Sequence, residues 1–173
     1  MPGYVIHLAV AEEYLKKHKN RKENYDKFIE GVIYPDSVTD KSQTHYGAKS
    51  GEANIVKFLE ENNIQNSFNR GYFLHLITDY LFYNKYIDTF SMDIYNDYDI
   101  LNKRLIKKYK VNIPEKVRNK IFFKDNLNLK ILSMELVEKL IDEVSSLNLD
   151  KIVEETKEEP EKWTKIRTLK YID

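Results

Sequence analysis

The stretch Ser67–Ile87, SFNRGYFLHLITDYLFYNKYI, decides the fold. Its apolar side chains fall on nearly every face of a helical wheel. That pattern predicts a helix buried on all sides rather than one lying on the surface. Two polar groups interrupt it. His75 and Asp79 stand four residues apart, about one turn, and so share a face. A carboxylate in such a helix is costly unless it is paired or bound to a metal.

A helix without a polar face needs other helices around it, and the rest of the chain supplies them. From about Gly3 to Lys17, Val5, Ile6, Ala9, Val10 and Leu15 alternate with charges at amphipathic-helix spacing. Asn24 is placed to cap a second helix through Phe28, Ile29 and Val32, which should stop near Tyr34 because Pro35 disfavours helical geometry in the residue before it. Pro35–Gly51, PDSVTDKSQTHYGAKSG, reads as a long polar loop, and loops of that length are usually functional or disordered. Ser50 opens a helix that Asn62–Asn63 ends. Further helices are expected at about Met92–Tyr109, Glu115–Phe123 and Ser133–Leu147, before a charged segment, Asp150–Asp173, broken at Pro160. Glycine and proline are scarce, at 5 and 4 residues, and strand-like alternation is rare. The expectation is an all-α fold, one domain over residues 1–173, built as a bundle of about seven helices.

Composition narrows the chemistry. The 173 residues include no cysteine, which excludes disulfides, thiolate metal sites and cysteine nucleophiles. Lys and Arg total 28 against 28 Asp and Glu, so there is no basic excess and no strong nucleic-acid signal. The basic run Lys103, Arg104, Lys107, Lys108 and Lys110 reads as a solvated helix face. The most apolar stretch is too short and polar for a membrane span, so no transmembrane segment is expected. The start MPGYVIHLAVAEEYLKK lacks a basic n-region and carries Glu12 and Glu13 where cleavage would fall, which argues against a signal peptide and for a cytoplasmic protein. No adjacent His-Asp pair, H-E-x-x-H, Walker or dinucleotide motif occurs.

Any transition-metal site must therefore use imidazole and carboxylate, which suit zinc, iron or manganese. Only four histidines are available. His7 lies among apolar residues of the first helix. Asp36 follows Pro35, His45 lies in the polar loop, and His75 and Asp79 lie on the central helix. His18, in KKHKNRK, reads as surface. Singly, each has a bland explanation: a satisfied core histidine, a turn residue, a solvated imidazole, an internal His–Asp bond. Together they could converge in a compact fold. Tyr34, Tyr46, Tyr72, Tyr80, Tyr83 and Tyr86 are near them in sequence, although with 13 tyrosines in the chain these read first as core residues.

The order His7, GVIYPDS with Asp36, THYG with His45, and GYFLHLITDY with His75 and Asp79 resembles the zinc-dependent phospholipase C family, whose all-helical fold is shared with fungal single-strand nucleases. The resemblance covers about residues 3–87; residues 92–173 carry no recognisable motif. It implies that Asp36, His45, His75 and Asp79 bind one zinc ion, and that His7 helps to bind a second, with Asp79 as a bridge. It implies a further role for Asp36 in orienting or deprotonating the attacking water. The family's complete centre holds three ions and needs histidines downstream of the helical Asp. No histidine follows His75 here, so a reduced site is expected. The resulting expectation is a metal-dependent hydrolase, a phosphoesterase acting on a small phosphoester. The alternatives are an inactive relative with a structural metal and a metal-free helical interaction module.

Overall fold

The computed structural model describes residues 3–172. Met1 and Pro2, at the start of the segment read against a signal peptide, and Asp173, at the end of the charged tail, lie outside the described residues.

The fold is all-α. Seven longer helices are present: α1 (Tyr4–Lys17), α2 (Tyr25–Ser37), α4 (Ile55–Glu61), α5 (Ser67–Leu81), α6 (Asp93–Tyr109), α8 (Met134–Ser145) and α9 (Leu149–Glu158). Two single turns, α3 (Ser42–His45) and α7 (Glu115–Arg118), complete the set. The starts are chemically marked. Asn24, Asn54, Asn66 and Asn148 each accept a hydrogen bond from the backbone N–H three residues on, and Ser133 does so for α8. Each such cap is worth about 1 kcal/mol.

Helix α5 is buried from Arg70 to Leu81 and runs through the centre. Helices α1 and α2 pack against it, and α6 and α8 cover the other side of α1. Helices α2 and α5 cross with their backbones almost touching. A Cβ at Gly31 would lie 2.0 Å from the Phe68 carbonyl oxygen, and one at Gly71 would lie 2.0 Å from that of Phe28. Only glycine fits at either position. Gly71, His75 and Asp79 follow at four-residue intervals, so the face of α5 that meets α2 is also the face that carries the two polar groups.

Several expectations are corrected. Helix α2 does not stop at Tyr34 but runs through Pro35 to Ser37. The proline lacks only its own N–H, and the carbonyls left free at this end find side chains. Ser37 Oγ donates to the Tyr34 carbonyl, Thr44 Oγ1 to that of Pro35 and Lys41 Nζ to that of Asp36. The stretch Pro35–Gly51 is consequently not a featureless loop; it contains the end of α2, α3 and a 3-10 turn at Ser50–Glu52. The helix expected from Ser50 begins at Ile55 instead, behind its Asn54 cap. The central helix ends at Leu81 and passes into a π turn at Phe82–Tyr86. The helix expected over Glu115–Phe123 is the single turn α7, and the segment after it is irregular. Backbone N–H groups of Lys130, Ile131 and Leu132 converge on the buried carboxylate of Asp97, which fastens that segment to α6. The charged tail contains α9, a full helix ahead of the Pro160 break.

Beyond that break, Trp163 packs at a tilt against Tyr80 and donates to Glu155. Strand β2 (Lys170–Tyr171) then pairs in parallel with β1 (Thr89–Phe90), returning the tail to the exit of α5. No helix among the described residues is long and apolar enough to cross a membrane. The basic run on α6 is exposed throughout.

Candidate metal centre

His7, Asp36, His45, His75 and Asp79 come together in one buried cluster. Four elements bring them there. α1 carries His7, the last turn of α2 carries Asp36, α3 ends on His45, and α5 presents His75 and Asp79. Their side chains are 0–1% exposed. His18 is excluded from the cluster; it is half-buried and its Nε2 lies 3.0 Å from the Ser145 carbonyl.

The hydrogen bonds around the cluster orient the rings. His75 Nδ1 lies 2.7 Å from the Val32 carbonyl, an acceptor only, so Nδ1 carries the hydrogen and Nε2 the lone pair. The close crossing at Gly31 and Gly71 brings that carbonyl within reach. For His45, Thr44 Oγ1 has committed its hydrogen to the Pro35 carbonyl at 2.9 Å. It must then accept from His45 Nδ1 at 3.0 Å, which again leaves the lone pair on Nε2. The two Nε2 atoms face each other at 3.4 Å. With both rings neutral two lone pairs meet there and repel, and either a proton on His75 Nε2 or a bound cation relieves the repulsion. Backbone and hydroxyl groups fix the tautomers of metal-bound histidines in this manner.

The spacing agrees with this. Asp79 Oδ2 is 2.9 Å from His45 Nε2 and 3.4 Å from His75 Nε2. Asp36 stands beside the same pair, with Oδ1 3.6 Å from His45 Nε2 and Oδ2 3.8 Å from His75 Nε2. Four ligands held tetrahedrally at zinc bond lengths lie roughly 3.4 Å apart. Asp36, His45 and His75 form one group whose ligand atoms lie close enough to hold a metal ion, and His7, His75 and Asp79 form a second that shares His75. The other oxygen of Asp79, Oδ1, is 3.1 Å from His7 Nε2, and Asp36 Oδ2 is 3.9 Å from it. His7 stacks flat on His75, with ring centres 3.7 Å apart. Neither ring nitrogen of His7 has a hydrogen-bond partner, nor do Asp36 Oδ2 and both oxygens of Asp79. Buried polar atoms are rarely left in that state.

Charge points the same way. Two carboxylates are enclosed here, and Asp36 sits at the C-terminal end of α2, where the helix dipole already disfavours an anion. Burial would raise the Asp79 carboxyl, but His75, His45 and His7 hold it well below the ordinary carboxylate range. Burial works against a charged His75, yet Asp79 and Asp36 outweigh it and raise the imidazole above its usual value. His7 goes the other way, to about 4, because burial and the neighbouring His75 outweigh the carboxylates. His75 is therefore the imidazole that keeps a proton near neutrality, and an incoming cation must displace it. Metal binding is expected to release protons, and affinity should fall as pH drops through the His75 titration. Calorimetric titrations in buffers of different ionisation enthalpy measure this directly.

Other groups at the site were not legible in advance. Lys41 Nζ is 3.2 Å from Asp36 Oδ1. Tyr4 lies one turn before His7, and burial together with Asp36 raises its hydroxyl to about 12. Tyr98, on α6, is buried with its hydroxyl unpartnered. Burial first, then Tyr95, Asp79 and Asp36, push that hydroxyl well above 10. The tyrosines singled out by sequence are mostly engaged elsewhere. Tyr72 donates to the Thr44 carbonyl, Tyr80 to that of Lys162, Tyr86 to Glu143, and Tyr46 accepts from Asn62.

A cleft of about 420 Å³ leads to the cluster from outside. Asp36 is the one member of the cluster that lines it, and Tyr4, Tyr98, Lys41 and Lys120 stand around it. Compared with family models, curated proteins and solved structures, the chain matches none.

Proposed function

We propose that this protein is a metal-dependent hydrolase of phosphoester bonds, with Asp36, His45, His75 and Asp79 as ligands of one zinc ion. His7, with the second oxygen of Asp79, offers a place for another ion. The observation that carries this reading is the pair of His45 and His75 Nε2 atoms, 3.4 Å apart and turned toward each other by hydrogen bonds at both Nδ1 atoms, with two carboxylates beside them. The resemblance to the zinc-dependent phospholipase C family supports the same four ligands. Iron or manganese would satisfy the donor set as well.

Zinc bound at such ligands lowers the pKa of water toward neutrality and polarises a phosphoryl oxygen. The chain's own groups do the rest. Asp36 reaches the cleft with Oδ2 unpartnered, so it can orient the attacking water and accept its proton. Lys41 holds the carboxylate of Asp36 by its other oxygen. Tyr98, kept protonated and lacking a partner, can donate to charge developing on the substrate. The other four members of the cluster do not line the cleft, and they set the geometry.

The test is elemental analysis of purified protein, paired with hydrolysis of a panel of phosphoesters. About one ion per chain is expected, with turnover reduced at least ~10³-fold in His75→Ala, the scale on which loss of a key active-site group acts. Metal with no turnover across the panel would leave the ion a structural role. Freshly purified protein without metal would favour a helical interaction module whose polar core is only a hydrogen-bond network.

A further inference from the structure

The cleft over Asp36 is lined by two lysines, Lys41 and Lys120, and two aspartates, Asp36 and Asp99. Lys41 projects into it beside Asp36, its side chain one-quarter exposed. Opposite, Lys120 is exposed and lies over the Tyr4 ring, 5.9 Å from its centre. No acidic side chain pairs with Lys120 among the described residues. The cleft's other carboxylate, Asp99, is answered by Lys124 at 3.8 Å. A divalent ion in the cluster would offset Asp36 and Asp79. Lys41 would then share Asp36 with the ion, and Lys120 faces the cleft with no carboxylate of its own.

We infer that Lys41 and Lys120 form a subsite for a doubly charged phosphate, and that the substrate is a small phosphate monoester rather than a diester. A monoester carries close to two negative charges at neutral pH, its second pKa being about 6, whereas a diester carries one. The cleft, about 420 Å³, is at the small end of the range for ligand sites, which suits one compact alcohol group and not a polymer. Tyr4, Tyr95 and Phe122 offer that group an aromatic wall. In the reaction, water forms a new bond to phosphorus and the bond to the leaving oxygen breaks. Asp36 takes the proton of the water, solvent protonates the leaving oxygen, and inorganic phosphate and an alcohol are released.

This inference rests on the hydrolase reading, and the experiment separates the two. Metal-loaded protein is assayed with p-nitrophenyl phosphate and bis(p-nitrophenyl) phosphate, and inorganic phosphate is titrated calorimetrically into wild type, Lys120→Met and Lys120→Arg. The monoester should be preferred in kcat/KM. Lys120→Met should weaken phosphate binding about tenfold, the loss expected for one charge-assisted contact, and raise KM more than it lowers kcat. Lys120→Arg should retain most of the binding. Phosphate affinity unchanged in Lys120→Met, or a preference for the diester, overturns the subsite while leaving the hydrolase intact. Hydrolysis of neither ester overturns the hydrolase, and the phosphate titration still decides whether the lysines bind the anion.

Discussion

Stripping the metal-loaded protein with a chelator is expected to lower its melting temperature by about 8–16 °C. A ligand that binds only the folded state at about 1,000 times its Kd stabilises by about 4 kcal/mol. In a chain of 173 residues each kcal/mol is worth roughly 2–4 °C. The physical basis lies in the core. Without a cation, Asp36 and Asp79 are left with Lys41 at the edge of the cluster and the imidazoles inside it, and the Nε2 atoms of His45 and His75 face each other at 3.4 Å. An ion held there would also join α2, α3 and α5, elements separated by up to 43 residues in sequence. A differential scan of the same sample before and after verified metal removal makes the measurement. An unchanged transition would show that the cluster folds as a hydrogen-bonded network alone.

Gly71→Ala is expected to cost about 3 kcal/mol, at the upper end of the usual penalty for overpacking. The added methyl would meet the Phe28 carbonyl carbon at 2.9 Å as well as its oxygen at 2.0 Å, and both belong to backbone, which cannot rotate aside. Helices α2 and α5 must then separate. The same separation lengthens the 2.7 Å bond from His75 to the Val32 carbonyl, so metal affinity should fall together with stability. Gly51→Ala is the control. Its methyl would meet only the Tyr83 ring at 3.3 Å, and a change within about 1 kcal/mol is expected. Denaturant melts of the two variants, with metal titrations alongside, test both parts. A Gly71→Ala protein that melts like wild type would mean that the crossing is looser than described.

The two glycines show what the sequence could and could not convey. The all-round apolarity of Ser67–Ile87 is a property of local composition, and it announced the buried helix and the His75–Asp79 face. Asp36 and His45 were legible as candidates for a similar reason, since their residue types and order carry the resemblance. The backbone contact at Gly31 and Gly71 depends on two helices meeting, and no local pattern specifies that. Pro35 misled because its local preference against helix was set against tertiary packing of α2 on α5, and packing prevailed. Tyr98 and Lys120 belong to the half of the chain without motifs and reach the cleft only through the docking of α6 on α1 and the path of the chain after α7. Tyr4 was within reach, one turn from His7 on the same helix, but its spacing alone resembles any core tyrosine.

The lysines at the cleft also bear on how the ion arrives. The cleft over Asp36 is the way in, and a divalent cation using it must pass Lys41 and Lys120, two charges of its own sign. Repulsion of that kind slows arrival, and Lys41, 3.2 Å from Asp36 Oδ1, would also weaken the hold on the ion. Uptake of solvent zinc should accordingly be sluggish in the finished fold, and loading easiest before the segment after α7 brings Lys120 across the opening. The metal found in a purified sample then records the ions present while the chain was folding rather than those in the final buffer.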